Sequence, residues 1–332
     1  MSSPRLTLFG MAMLAVGAAL SYDNPAGTSV WVLVVPMGFL SLNLLAAVIH
    51  NPRIHQRGGL LVFHLCLLGI VLLAAFGRLT RLDAHTELVE GTAFDKDNLL
   101  DVRQGPLHRT GLGRIEFVQG PYTVDYAPGM VRGLTHSEVL IPSAHGWRHL
   151  DVGDDRPLVM NGYRFYTTFN KGFAVVLSWL PAGGGNSIRG TVNMPAYPLY
   201  DFRQANRWQP REGEEIRFWL ELETGLTDQH AWTLAPSKAQ AELIVKSGEQ
   251  RVVLGPGQHV RLAGGVLTFE RLSSWMGYKI FYDPTINWLF FTAIIGVFGL
   301  ASHFWQKLRQ PDWQPTAKRD RIVESLSGRT VT

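Results

Sequence analysis

The sequence predicts a membrane protein with four transmembrane α-helices and a large extracytoplasmic β-rich domain, either an antiparallel sandwich or an open barrel. Of its 332 residues, 46% are hydrophobic and 17% are charged, whereas soluble domains carry about 25% charged residues. Four apolar stretches occur, and a long polar region rich in aromatic and β-branched residues separates the third from the fourth. A mean hydropathy of +0.04 excludes a bundle of membrane helices throughout.

The first three apolar stretches lie within residues 1–78 and give three predicted transmembrane helices. A hydrocarbon core about 30 Å thick needs roughly 17–25 apolar residues, and the second and third stretches reach that length. The first is shorter and has features of a signal peptide, with Arg5 before an apolar core and small residues at its end. Cleavage is its alternative fate, but we predict a retained helix because another apolar stretch follows closely. The predicted helices cover about residues 6–21, 29–49 and 59–76.

Residues 79–283 are predicted to form the β-rich domain. Short runs of Tyr, Phe, Val and Ile alternate with Gly, Pro and Asn, a pattern typical of strands joined by turns. A helical period is weakly present only over residues 237–243. The strand-like runs are RIEFV (114–118), YTVDY (122–126), YRFYTTF (163–169), FAVVLSWL (173–180), IRFWLELE (216–223) and VLTFERL (266–272). The fourth transmembrane helix is predicted at residues 284–305, followed by a basic cytoplasmic tail at 306–332.

The distribution of Lys and Arg predicts the orientation, because the cytoplasmic loops of membrane proteins carry the excess of these residues. Arg5 precedes the first helix, Arg53 and Arg57 lie between the second and third, and the tail after the fourth is basic. The loop between the first and second helices has neither Lys nor Arg. Arg78 and Arg81 oppose this orientation, but the other segments outweigh them.

We therefore predict a multi-pass protein of the bacterial cytoplasmic (inner) membrane, with both termini in the cytoplasm and the β-rich domain on the periplasmic side. Cytoplasmic anchoring beside membrane lipid explains the net charge of +4 and the isoelectric point near 9.2. Nucleic acid is not a predicted partner.

The residue types argue against catalysis by this chain. Cys66 is the single cysteine, which excludes a disulfide framework, a CxxC redox pair, a cysteine-based zinc site and a CxxCH haem-attachment motif. His145 and His149 have the i,i+4 spacing of a helical zinc site, but Gly146 and Trp147 between them disfavour a helix. The sequence contains no GxSxG or P-loop motif. We predict a non-catalytic protein without a metal site.

Histidines in the apolar stretches are the strongest functional candidates. His64 lies five residues past Gly59, about 8 Å inside the third helix at 1.5 Å per residue, where an unpartnered polar ring is costly. Neutral imidazole is a common ligand of haem iron, and a hydrogen bond to Asn43 or to a backbone carbonyl is an equally open interpretation. His303 and His50, near the cytoplasmic ends of the fourth and second helices, are weak haem-ligand candidates, with an interfacial position as the alternative.

The order of these segments resembles the ResB family, membrane proteins of the System II cytochrome c biogenesis machinery. Three spans, an exported β-rich region and a final span form the plan of that family, and the resemblance extends over the whole chain. Asp283-Pro284 before the last span is its most specific part, whereas the exported region is shorter than in many relatives. The similar segments are GGLLVFHLCLLGIVLLAAFG (58–77), LDAHTELVEGTAF (82–94), NGYRFYTTFNKGFAVVLSW (161–179) and WMGYKIFYDPTINWLFFTAIIGVFGLASHFW (275–305).

This resemblance implies a subunit that acts beside a ResC-type haem-handling membrane protein. Together the two are thought to move haem b across the membrane, holding it transiently and non-covalently, and to deliver it to apocytochrome c. The resemblance assigns the role of axial ligand to His64 alone, with a second histidine supplied by the partner. The alternatives are a structural accessory subunit of a respiratory or electron-transfer complex with a ResB-like fold, and a membrane-tethered β domain that binds an extracytoplasmic partner.

A topology assay tests the predicted orientation. Green fluorescent protein fused after Thr332 is expected to fluoresce, and alkaline phosphatase inserted near Gly184 is expected to be active, because the first folds in the cytoplasm and the second only after export. Exchanging the two reporters between the two sites is the control and should abolish both signals. The reversed pattern would contradict the orientation.

Overall fold

The computed structural model describes residues 4–25, 27–109, 111–210, 214–223 and 229–309. The chain divides into two units, one made of residues 1–78 and 285–332 and the other of residues 79–284. Most of the tail predicted at 306–332 lies outside the described residues.

The first unit is helical. Its helices are α1 (Pro4–Asp23), α2 (Trp31–His50), the short α3 (Pro52–His55), α4 (Gly58–Thr80) and α5 (Ile286–Arg309). All but α3 are long and apolar enough to cross a membrane, so the prediction of four long apolar helices is confirmed. Each of these four helices ends later than predicted, because helical backbone hydrogen bonds continue beyond the last apolar residue. In α4 the helix continues through Arg78 to Thr80.

Small residues let α1 and α2 approach closely. A Cβ added at Gly17 would lie 2.6 Å from the carbonyl oxygen of Val32, so only glycine fits at this crossing. The side-chain amide of Asn43 on α2 donates a hydrogen bond of 2.8 Å to Thr7 Oγ1 on α1. The two helices therefore combine a tight backbone contact with one polar bond.

The second unit is β-rich, and every strand pairing in its described residues is antiparallel, as predicted. The strands are β1 (Leu82–Val89), β2 (Leu100–Gln104), β3 (Val118–Ala127), β4 (Val131–Ser143), β5 (Gly146–Gly153), β6 (Leu158–Met160), β7 (Tyr163–Pro181), β8 (Ile188–Asn193), β9 (Ala205–Trp208), β10 (Ile216–Leu222), β11 (Trp232–Leu234), β12 (Ala241–Ser247), β13 (Gln250–Leu254), β14 (His259–Leu262) and β15 (Gly265–Tyr282).

These strands form three sheets. The first has the order β2-β1-β15-β7-β6, with β14 paired to β15 and β8 paired to β7. The second is β13-β12-β10-β9 and the third is β11-β3-β4-β5. The first and last strands of the unit are neighbours, since Leu82 at the start of β1 lies opposite Tyr282 at the end of β15.

Inward-facing residues of all three sheets share one hydrophobic core. Phe117 packs edge-on against Phe165 and Tyr278, with ring centroids 5.3 and 6.3 Å away. The buried hydroxyl of Tyr278 donates to Gln119 Oε1 at 2.8 Å, and the Gln119 side-chain amide donates to Ser137 Oγ at 2.9 Å. These three side chains thus satisfy one another inside the core, which avoids the cost of leaving them without hydrogen bonds.

Two details of the strand prediction are wrong. The runs at 163–169 and 173–180 form the single strand β7, because the chain between them continues through a bulge at residues 168–170 and makes no turn. The register of β7 against β15 shifts there, between Met276 and Tyr278. Residues 114–117 precede β3, which begins at Val118, and their apolar side chains are buried from a loop. The weak helical period at 237–243 also fails, since β12 starts inside it.

Lys171, which directly follows this bulge, is a buried cation with only 1% of its surface exposed. Its Nζ donates a long hydrogen bond of 3.5 Å to the carbonyl oxygen of Thr168. Burial lowers the pKa of Lys171 from 10.5 to about 8, and the positive charge of Arg132 adds to this effect, while Asp154 opposes it. At neutral pH the folded protein therefore holds a charge that burial disfavours.

Lys171→Met is expected to stabilise the protein at pH 7 by up to about 3 kcal/mol, since one pKa unit corresponds to about 1.4 kcal/mol. Methionine keeps a long apolar stem at the site. Between pH 8 and pH 10.5 the unfolded chain binds the Lys171 proton more tightly than the folded chain, so the stability of the unmodified protein rises with pH there. The variant should lose that rise.

Urea unfolding of the full chain in detergent, followed by tryptophan fluorescence at several pH values, measures this difference. Lys238→Met, at an exposed lysine, is the matched control and should leave both the stability and its pH dependence nearly unchanged. A Lys171→Met protein with the same pH dependence as the unmodified protein would show that the buried charge is not costly.

Candidate functional site

Helices α4 and α5 pack along a seam of small residues. A Cβ added at Gly59 would lie 2.7 Å from the carbonyl oxygen of Gly299. Further along, a Cβ at Gly296 would lie 3.1 Å from the Cβ of Cys66, and a Cβ at Gly69 would lie 3.2 Å from Thr292. The contact positions on α4 repeat every three or four residues, so one face of α4 is directed at α5. Cys66 is a packing residue of this seam.

His303 belongs to the seam, whereas His64 does not. The backbone nitrogen of His303 would lie 2.7 Å from a Cβ added at Gly59. His64 precedes the seam residue Cys66 by two positions, about 200° around a helix with 3.6 residues per turn. His64 therefore lies on the face of α4 that is turned away from α5, and the two histidines do not share one face.

The ring of His64 has one nitrogen occupied and one free. Its Nδ1 lies 2.8 Å from the carbonyl oxygen of Leu60, one turn earlier in α4. A carbonyl only accepts hydrogen bonds, so Nδ1 carries the proton and the neutral ring has its lone pair on Nε2. Within the described chain Nε2 has no hydrogen-bond partner. The side chain is half-buried.

His50 shows the same local bond but a different setting. Its Nδ1 lies 3.0 Å from the carbonyl oxygen of Ala46, yet it is the last residue of α2 and its side chain is exposed. The bond to the carbonyl four residues earlier therefore does not distinguish a functional histidine. His64 differs from His50 in lying about one and a half turns inside its helix, in the part of α4 that precedes the charged residue Arg78.

This arrangement fits one half of an axial haem site. A histidine that donates Nδ1–H to a backbone carbonyl has a fixed tautomer and ring orientation, the usual state of a metal-ligating imidazole. His303 lies on the other side of α4 and does not complete the pair with His64. A second axial ligand would have to come from outside these helices.

Three histidines of the β domain, His136, His145 and His149, lie at the turn between β4 and β5 or on these two strands. His145 precedes β5 in the turn and His149 lies within β5, so the spacing that suggested helical zinc ligands falls on a hairpin. His149 Nδ1 pairs with Glu138 on β4. The described part of the chain contains no group of three His, Cys, Asp or Glu side chains arranged to hold a metal.

The sequence reasoning missed a second pair on the same hairpin. His136 Nδ1 lies 3.1 Å from Asp151 Oδ2, and Glu138 lies directly opposite Asp151 across the two strands. The two His–carboxylate pairs line a surface cleft of about 370 Å³. The signal was present as His-x-Glu at 136–138 and His-x-Asp at 149–151, because residues two apart on a strand share one face.

The described residues thus define a class of protein by their fold: four helices long and apolar enough to span a membrane, with an antiparallel β-rich domain between the third and the fourth along the chain. No protein-family model matches the chain, and no curated protein matches it either.

Gly59→Ala is expected to push α5 away from α4, because the new methyl group would collide with backbone atoms of Gly299 and His303, which cannot move aside as a side chain would. We expect a fall of at least several degrees in the melting temperature of the full chain in detergent. Gly58→Ala is the matched control, since a Cβ at Gly58 meets nothing within 4 Å. Equal melting temperatures for the two variants would exclude a tight seam at Gly59.

Proposed function

We propose that this chain is a ResB-like, non-catalytic subunit of a cytochrome c biogenesis complex that helps haem cross the membrane and reach apocytochrome c. One observation carries the proposal. His64 sits about one and a half turns inside a helix without charged residues in its apolar part, and its Nε2 is free while Nδ1 is held by Leu60.

The energetics of the apolar helix support this role. A polar ring nitrogen facing lipid or an apolar partner without a bond is costly, and such groups are typically functional. Ligation of haem iron by Nε2 would use the lone pair and offset that cost. The bond from Nδ1 to Leu60 would hold the ring in one orientation while haem enters and leaves.

The position of His64 also supports a partner. The seam between α4 and α5 occupies the opposite side of α4, so the His64 face of α4 is not used in the contact with α5. We propose that a ResC-type membrane protein packs there and supplies the second axial ligand. In this proposal His303 and His50 do not bind haem.

The topology of the proposal follows the distribution of Lys and Arg. Both termini lie in the cytoplasm of a bacterium, the four long helices span the inner membrane, and residues 79–283 lie in the periplasm as a sandwich of antiparallel sheets. Cys66 packs against Gly296 and the domain after it has no cysteine. Reduction of the apocytochrome cysteines would therefore fall to another protein, since thiol–disulfide exchange requires a thiol.

A structural accessory subunit of a respiratory or electron-transfer complex is the second candidate. It is favoured by the bond between His64 Nδ1 and Leu60, which satisfies half of the ring without any ligand. In that case His64 would serve packing between subunits, and its replacement would change stability rather than haem content.

His64→Gly is expected to abolish haem copurification and cytochrome c assembly when the protein is expressed with its partner, while membrane insertion is retained. Imidazole added to the cells or to the purified complex should restore part of both, because it can occupy the vacated ligand position. The haem absorption spectrum and the yield of holocytochrome c measure these effects.

His50→Gly is the matched control, because His50 has the same bond to the carbonyl four residues earlier but lies at the exposed end of α2. It should retain haem and assembly. Full haem occupancy with an unaltered spectrum in His64→Gly would rule out the ligand role. Lower stability without rescue by imidazole would favour the accessory subunit instead.

A further inference from the structure

The outer face of the second sheet carries a row of four cations. Arg217 on β10 lies directly opposite Arg207 on β9 and opposite Lys246 on β12, and Lys246 lies opposite Arg251 on β13. All four side chains are exposed. Like charges placed directly opposite each other destabilise a sheet, so the stability of the fold does not explain this row.

Acidic side chains compensate only one end of the row. Arg217 Nε lies 2.9 Å from Glu215 Oε1, and Arg207 lies 3.5 Å from the other oxygen of the same carboxylate. The hydrogen bond from Arg217 holds the pKa of Glu215 below its usual value. Lys246 and Arg251 form no ion pair among the described residues. Half of the basic row is therefore available to an external acid.

Two further rows lie beside the basic row on the same face. The adjacent row is apolar and consists of Ala205, Trp219, Ile244 and Val253. Trp219 is 36% exposed and Val253 is 47% exposed. The next row is acidic, with Glu221 on β10 opposite Glu242 on β12. The face thus has basic, apolar and acidic stripes about 7 Å apart, the separation of alternate residues on a strand; we name it the striped face.

We propose that the striped face docks an amphipathic helix of a partner protein, with acidic residues along one edge, apolar residues in the middle and basic residues along the other edge. Charge complementarity determines this pattern, because each stripe of the helix would meet its opposite or its apolar counterpart. Exposed Trp and Arg side chains are typical of the residues that dominate binding energy at protein interfaces.

The dimensions favour a helix over an extended peptide. Cations in the row are about 4.8 Å apart, the spacing of neighbouring strands, and helix side chains three or four positions apart have Cβ atoms about 5–6 Å apart. Alternate residues of an extended peptide would be about 7 Å apart, which does not match the spacing of the cations in the row. The three stripes together span about 13 Å, close to the diameter of about 10–12 Å of a helix with its side chains.

The face disfavours two other anionic occupants. An anionic membrane surface would meet Glu221 and Glu242 as well as the cations, and these carboxylates would be repelled by it. A polyphosphate would pair with Lys246 and Arg251 but would leave the apolar row beside Trp219 exposed. The proposal does not depend on haem ligation by His64, because the striped face lies wholly in the β domain.

A binding assay with a designed helix tests the proposal. The full chain is reconstituted in nanodiscs of neutral phosphatidylcholine, and the probe is a fluorescein-labelled, lactam-stapled 18-residue peptide with Glu on one edge, a central Leu stripe and Lys on the other edge. Fluorescence anisotropy is expected to show saturable binding that weakens with added salt, and the same peptide with Gln in place of Glu should bind at least tenfold more weakly.

Substitutions on the striped face test whether this surface binds the peptide. Lys246→Glu combined with Arg251→Glu, and separately Trp219→Ser, should each weaken binding of the Glu peptide at least tenfold. Arg148→Glu combined with Arg261→Glu is the matched control, since it reverses two exposed charges on the other sheets and should change the affinity less than twofold. Circular dichroism of each variant verifies that the fold is retained.

Several results would overturn the proposal. They are the absence of saturable peptide binding, equal binding of the Glu and Gln peptides, and equal effects of the Lys246/Arg251 and Arg148/Arg261 variants. Binding of phosphatidylglycerol vesicles or of inorganic tripolyphosphate that requires Lys246 and Arg251, while the peptide does not bind, would assign the face to a lipid or phosphate ligand instead.

Discussion

The antiparallel pairing of β7 with β15 is the interaction on which the β domain depends. It extends from Gly265 opposite Pro181 to Phe281 opposite Arg164, and β1, β14, β6 and β8 each pair with one of the two strands. Both strands also send residues into the shared core, so the other two sheets pack against side chains that this pairing holds in place. Ladders of this length must bend, and the register shifts along them supply the bends.

The sequence predicts properties that depend on neighbouring residues alone. The four apolar helices were correctly predicted because hydropathy and length are local, and so was the β character of the polar region. The runs 163–169 and 173–180 were predicted as separate because Asn170 and Gly172, residue types that favour turns, lie between them. The structure instead has a bulge at residues 168–170, where the backbone of Asn170 packs against Gly277 on β15. This contact joins residues far apart in sequence, so no local pattern contains it.

The candidate sites also have some properties that local sequence predicts and others that depend on packing between distant residues. The depth of His64 in the third span could be predicted by counting residues, but its free Nε2 and its separation from His303 depend on which face of α4 packs against α5. The glycines in α4 and α5 carried a signal for that packing, since glycine is unfavourable in a helix unless a neighbour needs the space. The basic row of the striped face had no such signal, because the four cations lie on four strands and meet only through the strand register.

The pairing of Leu82 with Tyr282 has a consequence for the helices on either side of the β domain. A flexible insert of this length between α4 and α5 would oppose their association by a loop-closure entropy worth about 5 kcal/mol. The folded insert begins and ends on adjacent strands, whose paired Cα atoms lie about 5 Å apart. The folding free energy of the β domain therefore offsets the entropic cost of bringing the ends of the insert together. Mutations that unfold the β domain should therefore also weaken the association of α4 with α5, even when no helical residue is changed.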